Sequence, residues 1–307
     1  MFHKIVKGAL RALSYSDIDV RKNYRLKRRL VNLMNFDLMK PFYRTWDHKI
    51  HFRDYDIPVR IFSPQKDQRQ DILLFFHGGG WVTGNIDSYT RVCATMAKLT
   101  GRRVVSVDYR LAPENRFPAA PEDCYRVARE IYLDNSLLDV DARQITLIGD
   151  SAGANLAAAV SLMARDRGEF EVARQILIYP AAHYDHTPDS PFASVRENGT
   201  DYLLTSRRIC DYMDLYMSGP EDLKNPYFAP LMAGDFSRQP RSLVITAEYD
   251  PLRDEGEAYA EKLREAGNDM TLYRMADGLH GFFSLPAAFP QVKRAYTLIN
   301  HFLQETP

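Results

Sequence analysis

Short hydrophobic runs recur along the chain from residue 72 onward, and each is followed by a polar turn and then by a stretch with helical spacing. Several runs are apolar at consecutive positions, which is typical of parallel strands buried on both faces. Strands that alternate with amphipathic helices predict βαβ units. The predicted strands span residues 72–76, 103–107, 144–148, 175–179, 242–246 and 270–274. The predicted helices span residues 88–99, 121–133, 152–165, 257–266 and 291–302.

Upstream of these units the pattern changes to an alternation of apolar and polar residues. Residues 48–52 and 59–62 alternate in this way around a polar turn at 54–56, which predicts an antiparallel hairpin at the edge of the sheet. We therefore expect an α/β fold with a mixed but mostly parallel sheet and helices on both faces.

Two segments do not follow the βαβ pattern. Residues 1–45 are basic and helical in pattern, and residues from about 183 to 216 contain aromatic residues and two prolines. We predict that both form a lid, or cap, over the α/β domain, which spans residues 46–307. The basic run at 21–29 is interpreted as a solvent-facing helix surface rather than a site for a membrane or a partner.

Composition narrows the possible functions. Of 307 residues, 45% are hydrophobic, and 40 basic residues balance 40 acidic ones. A neutral chain lacks the overall field that attracts nucleic acid or anionic membranes, so a small neutral substrate is expected. No apolar run approaches the length of a membrane span, and the N-terminus lacks a signal-peptide pattern. The odd number of cysteines, Cys93, Cys124 and Cys210, favours free thiols and a cytoplasmic location.

The strongest chemical signal is G-D-S-A-G at residues 149–153, placed between a predicted strand and a predicted helix. A sharp strand-to-helix turn needs glycines beside the central serine, because neighbouring Cβ atoms would collide there. Ser151 is therefore the predicted nucleophile. The amide of Ala152, at the N-terminus of the helix, is a predicted donor to an oxyanion that forms beside Ser151.

A second signal is H-G-G-G-W at residues 77–81, directly after the strand at 72–76. Consecutive glycines allow bare amides to approach a ligand oxygen, and an HGGG segment at this place is a known oxyanion element of lipases and esterases. Gly79 and Gly80 are the predicted donors. His77 is expected to anchor the loop by hydrogen bonds.

A serine hydroxyl needs a base, and imidazole is suited to this role near neutral pH. His280 follows the last predicted strand, whereas the other histidines lie before the serine, in the cap segments or in the final helix. Asp250 follows the preceding strand and is the predicted acid. Its rivals are Glu248, Asp254 and Asp277. The order serine, acid, histidine is that of α/β-hydrolases.

With these motifs the chain resembles the hormone-sensitive-lipase family of α/β-hydrolases, especially its bacterial esterases. The resemblance also includes the sequences DYRLAPE at 108–114, FPAA at 117–120, NPYFAPL at 225–231 and DPLRDE at 250–255. It implies an eight-stranded sheet, a cap, preference for short acyl chains, and no metal or organic cofactor. It also implies the roles already given to Ser151, Asp250 and His280 and to the three amide donors. A homodimer is possible by family analogy.

The expected reaction is hydrolysis of short-chain esters through an acyl-enzyme on Ser151. Two alternatives remain open, namely hydrolysis of amides or carbamates on the same triad and a catalytically silent receptor for small molecules. The predicted lining of the acyl or alcohol pocket is formed by four hydrophobic residues, Trp81, Tyr202, Leu203 and Phe282.

Overall fold

An eight-stranded sheet runs through the computed structural model, which describes residues 20–34, 43–52, 55–64, 71–134 and 138–305. The strand order is β1-β2-β4-β3-β5-β6-β7-β8. The first two pairs, β1 with β2 and β2 with β4, are antiparallel, and all other pairs are parallel. The predicted mixed sheet is thus confirmed. The strands are β1 (Thr45–Phe52), β2 (Tyr55–Phe62), β3 (Ile72–Phe76), β4 (Arg103–Val107), β5 (Ile145–Asp150), β6 (Arg174–Ile178), β7 (Arg241–Tyr249) and β8 (Met270–Leu279).

Helices cover both faces of the sheet, as the alternating pattern predicts. Every side chain of β3 is buried, and alternate residues enter two separate hydrophobic clusters. The helices are α1 (Val20–Met34), α2 (Thr90–Thr100), α3 (Ala119–Leu133), α4 (Ala152–Arg167), α5 (Ala193–Asn198), α6 (Ser206–Tyr216), α7 (Arg253–Glu265) and α8 (Pro290–Gln304). The cluster on one face includes residues of α3, α4 and α7, and the cluster on the other face includes residues of α2 and α8. None of these described helices is long and apolar enough to cross a membrane.

The last two strands extend further than their hydrophobic runs indicate. Strand β7 continues to Tyr249 and β8 to Leu279, where the sequence pattern predicts ends at residues 246 and 274. Parallel pairing of the two strands passes through an irregularity between Ala247 and Tyr249 and resumes with Tyr249 opposite Leu279. This pairing depends on the neighbouring strand, so local hydrophobicity does not reveal it. As a result Asp250 and His280 follow directly after strand ends.

The two predicted cap segments contact each other through α1 and α6. Arg21 of α1 forms ion pairs with Asp211 and Asp214 of the later segment. The division into cap and catalytic domain at residues 1–45 and about 183–216 stays a prediction, and residues 1–19 and 35–42 lie outside the described residues.

The interpretation of residues 21–29 as a solvent-facing surface is wrong for Arg28. Its guanidinium donates hydrogen bonds to the carbonyl oxygens of Val82 and Ala112 and forms an ion pair with Glu114. The helix therefore turns the side chain of Arg28 inward, onto the loops that follow β3 and β4. The three cysteines are free, as predicted.

Candidate active site

Ser151 lies at a sharp turn between the end of β5 and the start of α4. Its φ is 55° and its ψ is −120°, a backbone conformation that costs about 1–3 kcal/mol in a non-glycine residue. The turn brings α4 close to β3: a Cβ atom on Gly153 would lie 1.9 Å from the carbonyl oxygen of Phe76. The Ser151 amide donates to the Ile178 carbonyl at 2.9 Å, which anchors the turn to β6.

Three residues from separate strand ends form one hydrogen-bonded chain. The Nε2 atom of His280 lies 2.9 Å from Oγ of Ser151, and its Nδ1 atom lies 2.7 Å from Oδ2 of Asp250. Asp250 is fully buried, and its Oδ1 atom accepts a hydrogen bond from the Leu252 amide at 2.9 Å. The carboxylate is thus held in place, and it holds the imidazole with Nε2 directed at the serine.

The rival acids have other partners. Glu248 accepts a hydrogen bond from the amide of Asp277, and Asp254 accepts one from the amide of Ser194 and pairs with Arg253. Among the described residues, Asp250 therefore forms a hydrogen bond with His280, and none of its three rivals does.

The predicted oxyanion donors surround Ser151. Gly79, Gly80 and Ala152 line one cavity together with Ser151 and His280. Within the described part of the chain, no protein atom accepts a hydrogen bond from the amides of Gly79 and Gly80. Ala152 is the first residue of α4, where an amide has no acceptor inside the helix. All three amides are thus available to a ligand oxygen.

His77 holds the glycine loop at residues 78–80 through a hydrogen bond and a ring contact. Its Nδ1 atom lies 2.8 Å from the carbonyl oxygen of Gly78, and its ring stacks on Tyr109 with 4.3 Å between ring centroids. Burial lowers the pKa of His77 to about 4, so the imidazole is neutral near pH 7 and donates to that carbonyl.

The cavity beside Ser151 has a volume of about 250 Å³ and a mostly apolar wall. Of the four predicted pocket residues, only Trp81 lines it. Tyr202 instead stacks on Tyr249, and Phe282 packs against Tyr179 away from the cavity. Leu203 is also absent from this wall, and its neighbour Leu204 takes part in it.

Nine further residues line the cavity and were not predicted from the sequence. The roof is formed by Leu204, Ile209 and Tyr212, all from the second predicted cap segment. Aromatic and aliphatic residues are common throughout that segment, so the sequence holds no signal for which of them face the serine. The other lining residues that the sequence analysis did not name are Tyr89, Asp150, Ala181, Leu252, Gly281 and Ser284.

Comparison with known proteins agrees with this geometry. Residues 73–284 match the family described as alpha/beta hydrolase fold. The chain belongs to this family. An arylesterase of Saccharolobus solfataricus is 38% identical over 253 residues, which are 82% of this chain and 81% of that protein. An ethyl acetate hydrolase of Pseudomonas putida is 32% identical over 82% of this chain and 79% of that protein.

A solved structure extends the likeness to nearly the whole chain. A hyperthermophilic esterase from the archaeon Pyrobaculum calidifontis superposes with a TM-score of 0.84 and 37% sequence identity, covering 98% of this chain and 97% of that chain. Within the α/β-hydrolases the protein therefore belongs with the carboxylic ester hydrolases of the hormone-sensitive-lipase type.

One further group in this α/β-hydrolase escaped the sequence analysis although it lies inside the G-D-S-A-G motif. Asp150 is 2% exposed, and burial raises its pKa to about 6. Its position directly before Ser151 is the signal that could have singled it out.

The described residues contain no cluster of three or more His, Cys, Asp or Glu side chains arranged to hold a metal ion.

Proposed function

We propose that this α/β-hydrolase cleaves short-chain carboxylic esters through a triad of Ser151, His280 and Asp250. The observation that carries the proposal is the position of His280, whose two ring nitrogens lie 2.9 Å from the serine hydroxyl and 2.7 Å from the carboxylate. Such a chain activates a hydroxyl, since the imidazole accepts its proton while the carboxylate stabilises the imidazolium. The two similar enzymes reported above, an arylesterase and an ethyl acetate hydrolase, support ester cleavage.

In the proposed reaction Ser151 attacks the ester carbonyl carbon and His280 takes the hydroxyl proton. The carbonyl oxygen becomes an oxyanion that accepts hydrogen bonds from Gly79, Gly80 and Ala152. His280 then protonates the departing alcohol, leaving an acyl group on Ser151. A water molecule activated by His280 attacks that acyl group, releases the acid and restores the serine.

The cavity supports small, neutral substrates. Its volume of about 250 Å³ lies below the range of pockets that hold drug-sized ligands, roughly 300–1,000 Å³. Among the described residues that line it, none is Lys or Arg, and its wall is mostly apolar. A short acyl chain can be buried there, whereas a substrate anion would find no side-chain cation.

The direct test is pre-steady-state kinetics on 4-nitrophenyl acetate and butyrate. We expect a burst of 4-nitrophenolate that equals the enzyme concentration, followed by slower turnover, because the acyl-enzyme forms before it is hydrolysed. Ser151→Ala should abolish both phases while retaining the fold, and it should no longer be labelled by a fluorophosphonate. Full activity in this variant would refute the assignment.

A matched ester and anilide of the same acid separate ester hydrolysis from amide hydrolysis. We expect the ester to be cleaved faster by a factor larger than the ratio of the uncatalysed rates. Binding of the ester without turnover, in a protein that fluorophosphonate does not label, would instead support the silent receptor. Homodimer formation and a cytoplasmic location stay predictions.

A further inference from the structure

Asp150 is a buried carboxylate that the proposed triad does not use. It is 2% exposed and has no basic partner within ion-pair distance among the described residues. Three hydrogen bonds reach it: the Gly78 amide at 2.9 Å, the Tyr89 hydroxyl at 3.2 Å and the Tyr179 hydroxyl at 3.4 Å. Burying a carboxylate in this way is unfavourable, so its place beside the nucleophile calls for a functional explanation.

The shortest of these bonds joins the two halves of the active site. Gly78 immediately precedes Gly79 and Gly80 in the oxyanion loop, and Asp150 immediately precedes Ser151, although 72 positions of sequence separate the two partners. The contact is close, since a Cβ atom on Gly78 would lie 2.8 Å from Oδ2 of Asp150. One hydrogen bond therefore connects the backbone that carries the oxyanion donors with the backbone that carries the nucleophile.

The other two hydrogen bonds of Asp150 come from Tyr179 and Tyr89, which lie beside the proposed base and in the cavity wall. The ring of Tyr179 packs on that of His280 with 4.7 Å between centroids. Tyr89 lines the cavity and packs on His77 behind the oxyanion loop. The carboxylate thus contacts one residue that packs on the proposed base and one that lines the cavity.

We propose that Asp150 is a positioning residue. Its carboxylate fixes the distance between the oxyanion loop and Ser151, so that the amides of Gly79 and Gly80 can donate to the oxyanion. The inference rests on the proposed esterase function. Catalytic groups need to be held within about 0.5 Å of their productive geometry, and a single buried acceptor that pins Gly78 satisfies this need. Asp150 itself touches neither the hydroxyl of Ser151 nor the imidazole of His280 in any described hydrogen bond.

Two substitutions separate positioning from a general role in folding. Asp150→Ala removes the acceptor, whereas Asp150→Asn retains an oxygen that can accept from Gly78. A matched control is Asp123→Ala, because Asp123 is an equally buried carboxylate that pairs with Arg110 and does not line the cavity. Activity is expressed per active site by labelling Ser151 to completion with a fluorophosphonate and counting the labelled protein, so that loss of folded protein does not count as loss of catalysis.

We expect Asp150→Ala to lower kcat per titrated site by about 10²-fold while KM changes less than about threefold, because oxyanion contacts form mainly in the transition state. Affinity for a trifluoromethyl ketone, whose adduct with the serine places an oxyanion in the same hole, should fall in parallel with kcat/KM. Asp150→Asn should stay within about tenfold of the unsubstituted enzyme, since its oxygen can still accept from Gly78. Asp123→Ala should leave kcat per titrated site unchanged.

If Asp150→Ala does not fold, Gly78→Ala approaches the same contact from the other side, because its added methyl group would push the loop away from the carboxylate. It should lower kcat and ketone affinity in the same way. The proposal is overturned if Asp150→Ala or Gly78→Ala keeps kcat per titrated site within about threefold, or if Asp150→Asn loses as much as Asp150→Ala. Failure of the proposed function is distinguishable, since the unsubstituted protein would then show neither burst nor fluorophosphonate labelling.

Discussion

Two adjacent residues at the proposed active site are held in unfavourable states. Ser151 has a φ of 55°, which L residues rarely adopt, and Asp150 is a carboxylate with almost no access to water. Burial raises the pKa of Asp150 from an ordinary value of 3.8 to about 6, so the folded protein disfavours the charged form of this carboxyl. A residue that destabilises the folded state is expected to persist only where function needs it.

This pKa gives the stability of the protein a definite dependence on pH. Because the folded protein binds the Asp150 proton more tightly than the unfolded chain, the contribution of Asp150 to stability falls as pH rises from about 4 to 6. Above that window the free-energy cost of burying the charged carboxylate is constant, and Asp150→Asn removes this cost. We expect the variant to gain up to about 3 kcal/mol in unfolding free energy at pH 8, and the gain to fall below about 1 kcal/mol at pH 4.

Urea unfolding of both proteins at pH 8 and at pH 4 measures this difference directly. A gain that is the same at the two pH values would show that the carboxylate titrates normally in the folded state.

At the scale of elements, the turn from β5 into α4 determines where the proposed nucleophile lies. Nearly every residue of α4 is buried, and its first turn lies against the end of β3. The helix can approach this strand only because residue 153 has no side chain. The position of Ser151 relative to the oxyanion loop, which follows β3, therefore depends on the packing of two elements that are far apart in sequence.

Gly153→Ala tests this packing. Its methyl group would overlap the Phe76 carbonyl, so α4 must move, and we expect a loss of about 1–3 kcal/mol in stability. The burst amplitude per folded molecule should also fall, because Ser151 moves with the helix. Gly168→Ala is the matched control at the other end of α4, where φ is 66° and no atom lies within 4 Å of the new methyl group.

The control should lose only about 1 kcal/mol, owing to its left-handed backbone, and should keep the full burst. Thermal unfolding and titration of the burst measure both quantities. Equal losses of burst in the two variants would contradict the account of α4.

At the scale of the whole molecule, residues of the predicted cap line the cavity together with residues that follow the strands of the sheet. Tyr212 of α6 packs against the oxyanion loop, since a Cβ atom on Gly80 would lie 2.6 Å from its ring. The ammonium of Lys27, from α1, lies 4.8 Å from the centroid of the same ring. Tyr212, which belongs to the second predicted cap segment, thus contacts both the first cap segment and the oxyanion loop. It also forms part of the cavity roof.

We expect Tyr212→Ala to enlarge the cavity and to shift preference toward longer acyl chains. The ratio of kcat/KM for a 4-nitrophenyl octanoate to that for the acetate should rise by about tenfold, because the removed ring makes room for methylene groups that can then be buried. Tyr212→Phe keeps the ring and should retain the original ratio. An unchanged ratio in Tyr212→Ala would show that the roof does not limit the acyl chain.

The order of elements and the three triad candidates follow from the sequence by itself. Short runs of apolar residues indicate buried strands, and the G-x-S-x-G spacing indicates a sharp turn that needs glycines. Both signals are local in the sequence. The positions of Asp250 and His280 after the last two predicted strands suffice to place them at one edge of a parallel sheet. These inferences need no knowledge of which distant residues are in contact.

Tertiary structure alone decided the ends of β7 and β8, the inward turn of Arg28 and the residues that line the cavity. Leu204 faces the serine while its neighbour Leu203 does not, and Tyr202 stacks on Tyr249 instead. The bond from Asp150 to Gly78 likewise joins partners 72 positions apart. Each of these features depends on side chains from separate elements packing together, and such contacts leave no periodic or local trace in the sequence.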